Sequence, residues 1–215
     1  MRNYIALITV LVFLSCTKTN VKVNDTSNTI NETKQQLKFR ALGNKNLSLF
    51  NFPKHWTVQV FDEGEPMTKE DSLYQKNMDQ LDFFDDIKGK SINDNTYKKA
   101  LLDSDKKEKI DSLFLIDSYS IENKQIVYLK YYKTINDSNY DFPPSEKNID
   151  VLIYDQNNLV KRLNVYSSKN YPSIVEKKIG YLDELGTLFM KTFEIDEEGV
   201  TSTTNKTINC KEYLK

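Results

Sequence analysis

The sequence predicts an α+β fold: a single domain with a mainly antiparallel β-meander and one or two covering helices. Three observations point there. From Asp111 onward, apolar and polar residues alternate with a period of two, in runs separated by short polar breaks. Three of those breaks share one chemistry: Asp155-Gln156-Asn157-Asn158, Asp183-Glu184-Leu185-Gly186 and Asp196-Glu197-Glu198-Gly199. In such turns the Asp side chain accepts backbone N–H bonds, and Gly186, Gly199 or Asn158 takes a positive φ at little cost. Finally, the 13 Tyr and 11 Phe suit strands, where aromatic residues are enriched.

In chain order, Met1-Arg2-Asn3 forms a short basic start. An apolar run over residues 4–14 follows, interrupted only by Thr9. A membrane-spanning helix needs about 20 apolar residues, so this shorter run reads as a secretion signal and is excluded from the fold. Phe13-Leu14-Ser15-Cys16 then resembles the cleavage box of bacterial lipoproteins, with Phe13 and Leu14 where that family usually has Leu and a small or β-branched residue. The resemblance implies cleavage before Cys16, lipidation of Cys16 and attachment to the membrane through it. Two or three acyl chains anchor firmly where one binds marginally. The Lys- and Asn-rich, Arg-poor usage resembles lipoproteins of the Bacteroidetes, in which an acidic cluster after the cysteine can mark surface export. Thr17-Lys18-Thr19-Asn20 has no acid and the first is Asp25. The expected location is the cell envelope, on the periplasmic face of the outer membrane.

The predicted layout is a signal peptide over 1–15, a lipidated Cys16 with a flexible tether over 16–36, and one α+β domain over 37–215. The tether is polar and aperiodic. A strand is predicted over 37–42. Residues 47–52 and 56–61 alternate as two further strands, with Pro53 ending the first because proline cannot donate to a ladder. On Phe50, Phe52, Pro53 and Trp56, residues 47–60 resemble the opening hairpin of PsbP and Mog1-like domains. That resemblance implies an α/β/α sandwich around an antiparallel sheet in an accessory or binding module. The family often has Gly before the Trp, and His55 stands there instead.

An amphipathic helix is predicted over 69–87, capped by Thr68 and ended by Gly89, with Leu73, Met78, Leu81, Phe84 and either Ile87 or Phe83 on one face and Asp79, Asp82 and Asp86 outside. A weaker helix is predicted over 96–102. Residues 103–108 read as a charged turn, with another helical turn as an option over 106–113. Strands are then predicted over 113–120, 125–134, 150–154, 159–166, 175–182, 187–195 and 200–208. Polar loops fall at 135–148 and 167–173. The Asp turns lie 28 and 13 residues apart, which excludes a regular solenoid.

The chemistry is sparse. With 30 basic and 31 acidic residues, the chain carries no charge excess suited to nucleic acid. His55, the only histidine, has no Gly-x-Ser-x-Gly partner and no zinc-ligand spacing. Asp103-Ser104-Asp105 with Glu108 lacks the twelve-residue calcium loop. With 6 Gly, the chain has no glycine-rich phosphate loop. No metal, cofactor or catalytic residue is assigned. With Cys16 lipidated, Cys210 lacks an intramolecular partner, leaving a buried, exposed or intermolecular thiol. The candidate recognition surface is a set of tyrosines: Tyr128, Tyr131, Tyr132, Tyr154, Tyr166 and Tyr181. Their amphipathic rings suit either recognition or packing. The function expected is a non-catalytic binding or protein-interaction module, such as an envelope accessory subunit or an immunity protein. The alternatives are a carrier of lipid or small hydrophobic ligands, with a cavity lined by strands 125–134 and 187–195, and a hydrolase.

Overall fold

A computed structural model describes residues 38–47, 68–102, 108–135, 144–170, 174–196 and 199–215. The predicted strands over 47–52 and 56–61, and with them the PsbP and Mog1-like segment, lie outside the described residues apart from Leu47, as do Cys16 and His55. In chain order the elements are β1 (Leu42–Gly43), α1 (Lys69–Leu81), β2 (Lys90–Ser91), α2 (Asn95–Leu101), β3 (Glu108–Ile121), β4 (Lys124–Ile135), β5 (Ser145–Asp155), β6 (Asn158–Asn170), β7 (Val175–Leu182), β8 (Thr187–Asp196) and β9 (Gly199–Asn209). A 3₁₀ turn over Cys210–Tyr213 follows. No described helix is long and apolar enough to cross a membrane.

The fold is the expected α+β domain with an antiparallel meander. Strands β2 to β9 lie side by side in sequence order. The turns fall at the predicted positions, but in the first of them Asp155 bonds Lys124 and not the turn backbone, and Asn158, expected at positive φ, already belongs to β6. Gln156 and Asn157 take φ of 47° and 74° between β5 and β6. Asp183 Oδ1 accepts from the Thr187 N–H at 2.7 Å, and Asp196 Oδ1 accepts from Gly199 N–H at 3.1 Å. Gly186, at φ 77°, lies against Phe39, whose ring would be 2.6 Å from an added Cβ.

Strand β1 is the exception to the meander. Strand β6 pairs with β7 only from Asn170↔Val175 to Tyr166↔Ile179. Past that point β7 pairs with β1, through Leu42↔Leu182 and Gly43↔Tyr181. The strand predicted over 37–42 therefore contracts to two residues. The backbone before it bonds elsewhere: Phe39 N–H donates to Glu184 O at 3.0 Å, and Arg40 N–H donates to the Tyr119 hydroxyl at 2.9 Å.

Alternation gives the sheet two faces, and each has its own core. The first carries Ile126, Tyr128, Ile149, Val151, Leu163, Ile179 and Phe193, packed with Phe39, Leu42, Phe83, Phe84 and Cys210. The second carries Val127, Leu129, Tyr131, Leu152 and Tyr154, packed with Leu101 and partly with Tyr97 and Ala100 of α2. The short α2 is thus a covering helix. Asp94 starts it by accepting from Thr96 and Tyr97 N–H. The longer helix stops at Leu81, not Ile87. Asp82 Oδ1 accepts from the Phe84 N–H at 3.3 Å, and the turn that results buries Phe83 and Phe84 in the first core. Asp82 consequently faces β6 and β7 instead of solvent. Strand β5 begins at Ser145, five residues before its predicted start, and β3 begins at Glu108, where a helical turn was an option.

Candidate functional site

Only part of the second face is apolar. Beyond the α2 core, the pleat brings polar side chains from β4 to β8 onto that face. Register places Tyr131, Asn148, Ser167, Lys178 and Thr192 side by side across five strands. The next row is Lys133, Glu146, Lys169, Glu176 and Glu194. Opposite charges alternate as direct cross-strand neighbours from Lys133 to Glu176, which stabilises that part of the row, and Glu176 then faces the like charge of Glu194. Lys133 Nζ lies 2.9 Å from Glu108 and 3.1 Å from Glu146, and Lys169 Nζ lies 3.7 Å from Glu146 and 3.1 Å from Glu176.

On the other side of the middle row, Asp150 is fully buried and saturated with donors. Arg162 Nε lies 2.6 Å from its Oδ2, the Tyr131 hydroxyl donates to the same oxygen at 3.0 Å, and Asn164 Nδ2 donates to Oδ1 at 2.6 Å. Arg162 also donates to the Tyr131 hydroxyl at 2.9 Å. Burial and the charge of Asp150 push the Tyr131 hydroxyl well above its usual range, so it remains a donor. Asn164 Oδ1 is buried with no hydrogen-bond partner.

Between these two networks stands Lys178. Its ammonium has no ion pair or hydrogen bond among the described residues. Partial burial pulls its pKa down. Asp150 opposes that shift, while Lys169, Arg162 and Lys206 add to it. The groove over Lys178 holds about 260 Å³; Arg162, Asn164, Ser167 and Thr192 line it together with the paired charges Lys133, Glu146, Lys169 and Glu176. Chemically it offers a cation, hydroxyls and amides to a ligand with negative charge. The described residues include no group of three or more His, Cys, Asp or Glu placed to hold a metal ion.

The predicted tyrosine surface is not one surface, and burial corrects it. Tyr128, Tyr131, Tyr154 and Tyr166 are all buried. Tyr128 donates to Arg40 O at 2.7 Å, and Tyr166 donates to Asp82 Oδ1 at 2.7 Å. Tyr132 packs edge-on against Phe84 at 5.1 Å, and the Tyr181 ring lies 5.8 Å from the Lys45 ammonium. The four buried rings belong to the cores, and the hydroxyls of Tyr128, Tyr131 and Tyr166 satisfy backbone or carboxylate groups. Tyr154 differs: its hydroxyl is buried without a partner. The residues that do form an open site, Arg162, Asn164, Lys178 and Thr192, come from three strands and share no local motif. The readable signal was the period-two polarity of Glu146, Asn148 and Asp150.

Comparison of the chain with protein-family models, with curated proteins and with solved structures finds no match.

Proposed function

We propose that this protein is a lipid-anchored binding module of the bacterial envelope, held to the outer membrane through Cys16. In this reading its polar sheet face docks a protein partner that presents a carboxylate to Lys178. The anchor rests on the basic start, the short apolar run and the Ser15-Cys16 junction. The docking face rests on one observation: a partly buried ammonium that makes no ion pair or hydrogen bond among the described residues, set in a groove whose other charges are paired. A desolvated cation without a counter-ion is costly, and a partner carboxylate would supply the missing charge. Electrostatic matching of this kind favours specificity over raw affinity.

The test is capture of partners from native envelope with the full lipidated chain, comparing wild type with Lys178→Gln and Thr192→Arg. One stoichiometric protein retained by wild type and lost with both variants is the expected result. Equal recovery from all three overturns the docking face. Cys16→Ala should move the protein to the soluble periplasmic fraction, and continued membrane retention refutes the anchor.

A further inference from the structure

The second face carries another opening, separate from the Lys178 groove. Where α2 meets the β4 and β5 ends, a cavity of about 250 Å³ is lined by Asp94, Thr96, Tyr97, Gln125, Tyr154 and Asn157. Ligand pockets for drug-sized molecules start at roughly 300 Å³, so this one suits a single ring.

Its walls have two characters. The Tyr97 and Tyr154 rings, with centroids 6.2 Å apart and planes at 54°, form an apolar corner. Around it stand polar atoms with unspent hydrogen-bonding capacity. Tyr154 is 5 % exposed, yet its hydroxyl has no partner. Burial, with the Tyr97 and Asp94 charges adding to it, pushes that hydroxyl up to about 12, so it both donates and accepts at neutral pH. Asp94 uses Oδ1 for the Thr96 and Tyr97 N–H groups, and its Oδ2 has no partner among the described residues. Gln125 donates to Ser118 Oγ at 3.3 Å, leaving its carbonyl oxygen free. The Asn157 amide has no described partner, and it is held at the turn by its positive φ. Among the described residues, no lysine or arginine lines the cavity.

We infer that this cavity is a binding site for a neutral saccharide ring. The C–H face of a pyranose is apolar and matches the tyrosine corner, while its hydroxyls can both donate and accept. They can donate to Asp94 Oδ2 and the Gln125 carbonyl, accept from Asn157, and satisfy the Tyr154 hydroxyl in either sense. An anionic sugar would meet Asp94 with no cation to offset it. An organic cation would use the carboxylate and the rings but leave the neutral amides and hydroxyls unpaired.

The experiment is saturation-transfer NMR on the purified protein. The probes are the methyl glycosides of glucose, galactose, mannose and N-acetylglucosamine, with choline and methyl glucuronide as charged comparators. At least one neutral glycoside should receive saturation and the charged comparators should not. Tyr154→Phe should weaken that binding about tenfold, the size of one lost hydrogen bond. It should leave thermal stability unchanged or raised, because the hydroxyl it removes has no partner in the free protein. Asp94→Asn keeps the helix cap and should weaken binding similarly. Absence of transfer to every neutral glycoside, binding unaffected by Tyr154→Phe, or transfer to choline or methyl glucuronide instead would each overturn the site. Lys178→Gln should not alter any of these signals, which separates this site from the docking face.

Discussion

At the scale of single residues, a few polar groups depend on buried partners. Asp150 is the clearest case, since a carboxylate with no solvent exposure depends on Arg162, Tyr131 and Asn164. Breaking one side of a buried ion pair leaves a charge uncompensated and costs about 3–5 kcal/mol. Arg162→Ala should therefore destabilise by about that amount, read as the shift in urea midpoint. Asp150→Asn combined with Arg162→Met should recover part of the loss, because the charge that required the arginine is gone. If Arg162→Ala costs less than about 1 kcal/mol, the pair is no more than a surface contact. The tyrosines follow the same logic. A sequence shows that a Tyr is amphipathic but not which partner its hydroxyl will meet. Tyr128 meets Arg40, 88 residues away. Cys210, left open by sequence, is a buried free thiol whose pKa burial pushes up to about 11, with a Leu188 hydrogen bond acting against that shift.

At the scale of elements, the least regular strand does the most to close the structure. Strand β1 fills the β7 edge that β6 leaves, and two glycines allow the approach. Gly43 sits at φ 106°, where an added Cβ would run into the Gly180 carbonyl oxygen. At Gly180 a Cβ would lie 2.8 Å from Val165 O. Gly43→Ala should cost about 1–3 kcal/mol from overpacking and backbone strain together. The measurement is the urea midpoint at unchanged slope, with exposed Lys45→Ala as a control expected within about 0.5 kcal/mol of wild type. A Gly43→Ala protein as stable as the control would mean that β1 contributes no closure. The helices carry a related lesson. The helix start was readable, but Leu73, expected on the apolar face, is exposed, and Asp82 ends the helix early so that Phe83 and Phe84 can enter the core. That outcome depends on β6 and β7, which supply Tyr166 and Lys177.

At the scale of the whole molecule, Asp82 also links stability to pH. Burial by itself would raise its pKa. The Lys177 ammonium 3.2 Å away and hydrogen bonds from Tyr166, Lys177 and the Phe84 N–H outweigh it and hold the carboxyl below its usual range. A depressed carboxylate stabilises the fold above its unfolded pKa, and that contribution fades as pH falls through the folded value. Wild type should therefore be more stable than Asp82→Asn near neutrality. The gap in urea midpoint should close between about pH 4 and the lower folded pKa. A gap that is constant down to about pH 2 would show that the carboxylate charge plays no part.

The sequence by itself determined the fold class, the order of the β-hairpins and the Asp183 and Asp196 turns, and it raised the envelope address as an expectation. These are local properties: a two-residue period, an Asp or Gly at a turn, an apolar run of limited length. Tertiary structure decided which polar residues matter. Glu146 and Asn148 read as loop because they are polar, and they became buried parts of β5 because Lys133 and Lys169 stand beside them. Lys178 became the open cation of the groove, and Tyr154 the unpartnered hydroxyl beside α2. Both outcomes depend on cross-strand register and on where a distant helix lands. A charge or hydroxyl acquires its role from its neighbours in space, and in an antiparallel sheet those neighbours come from other strands.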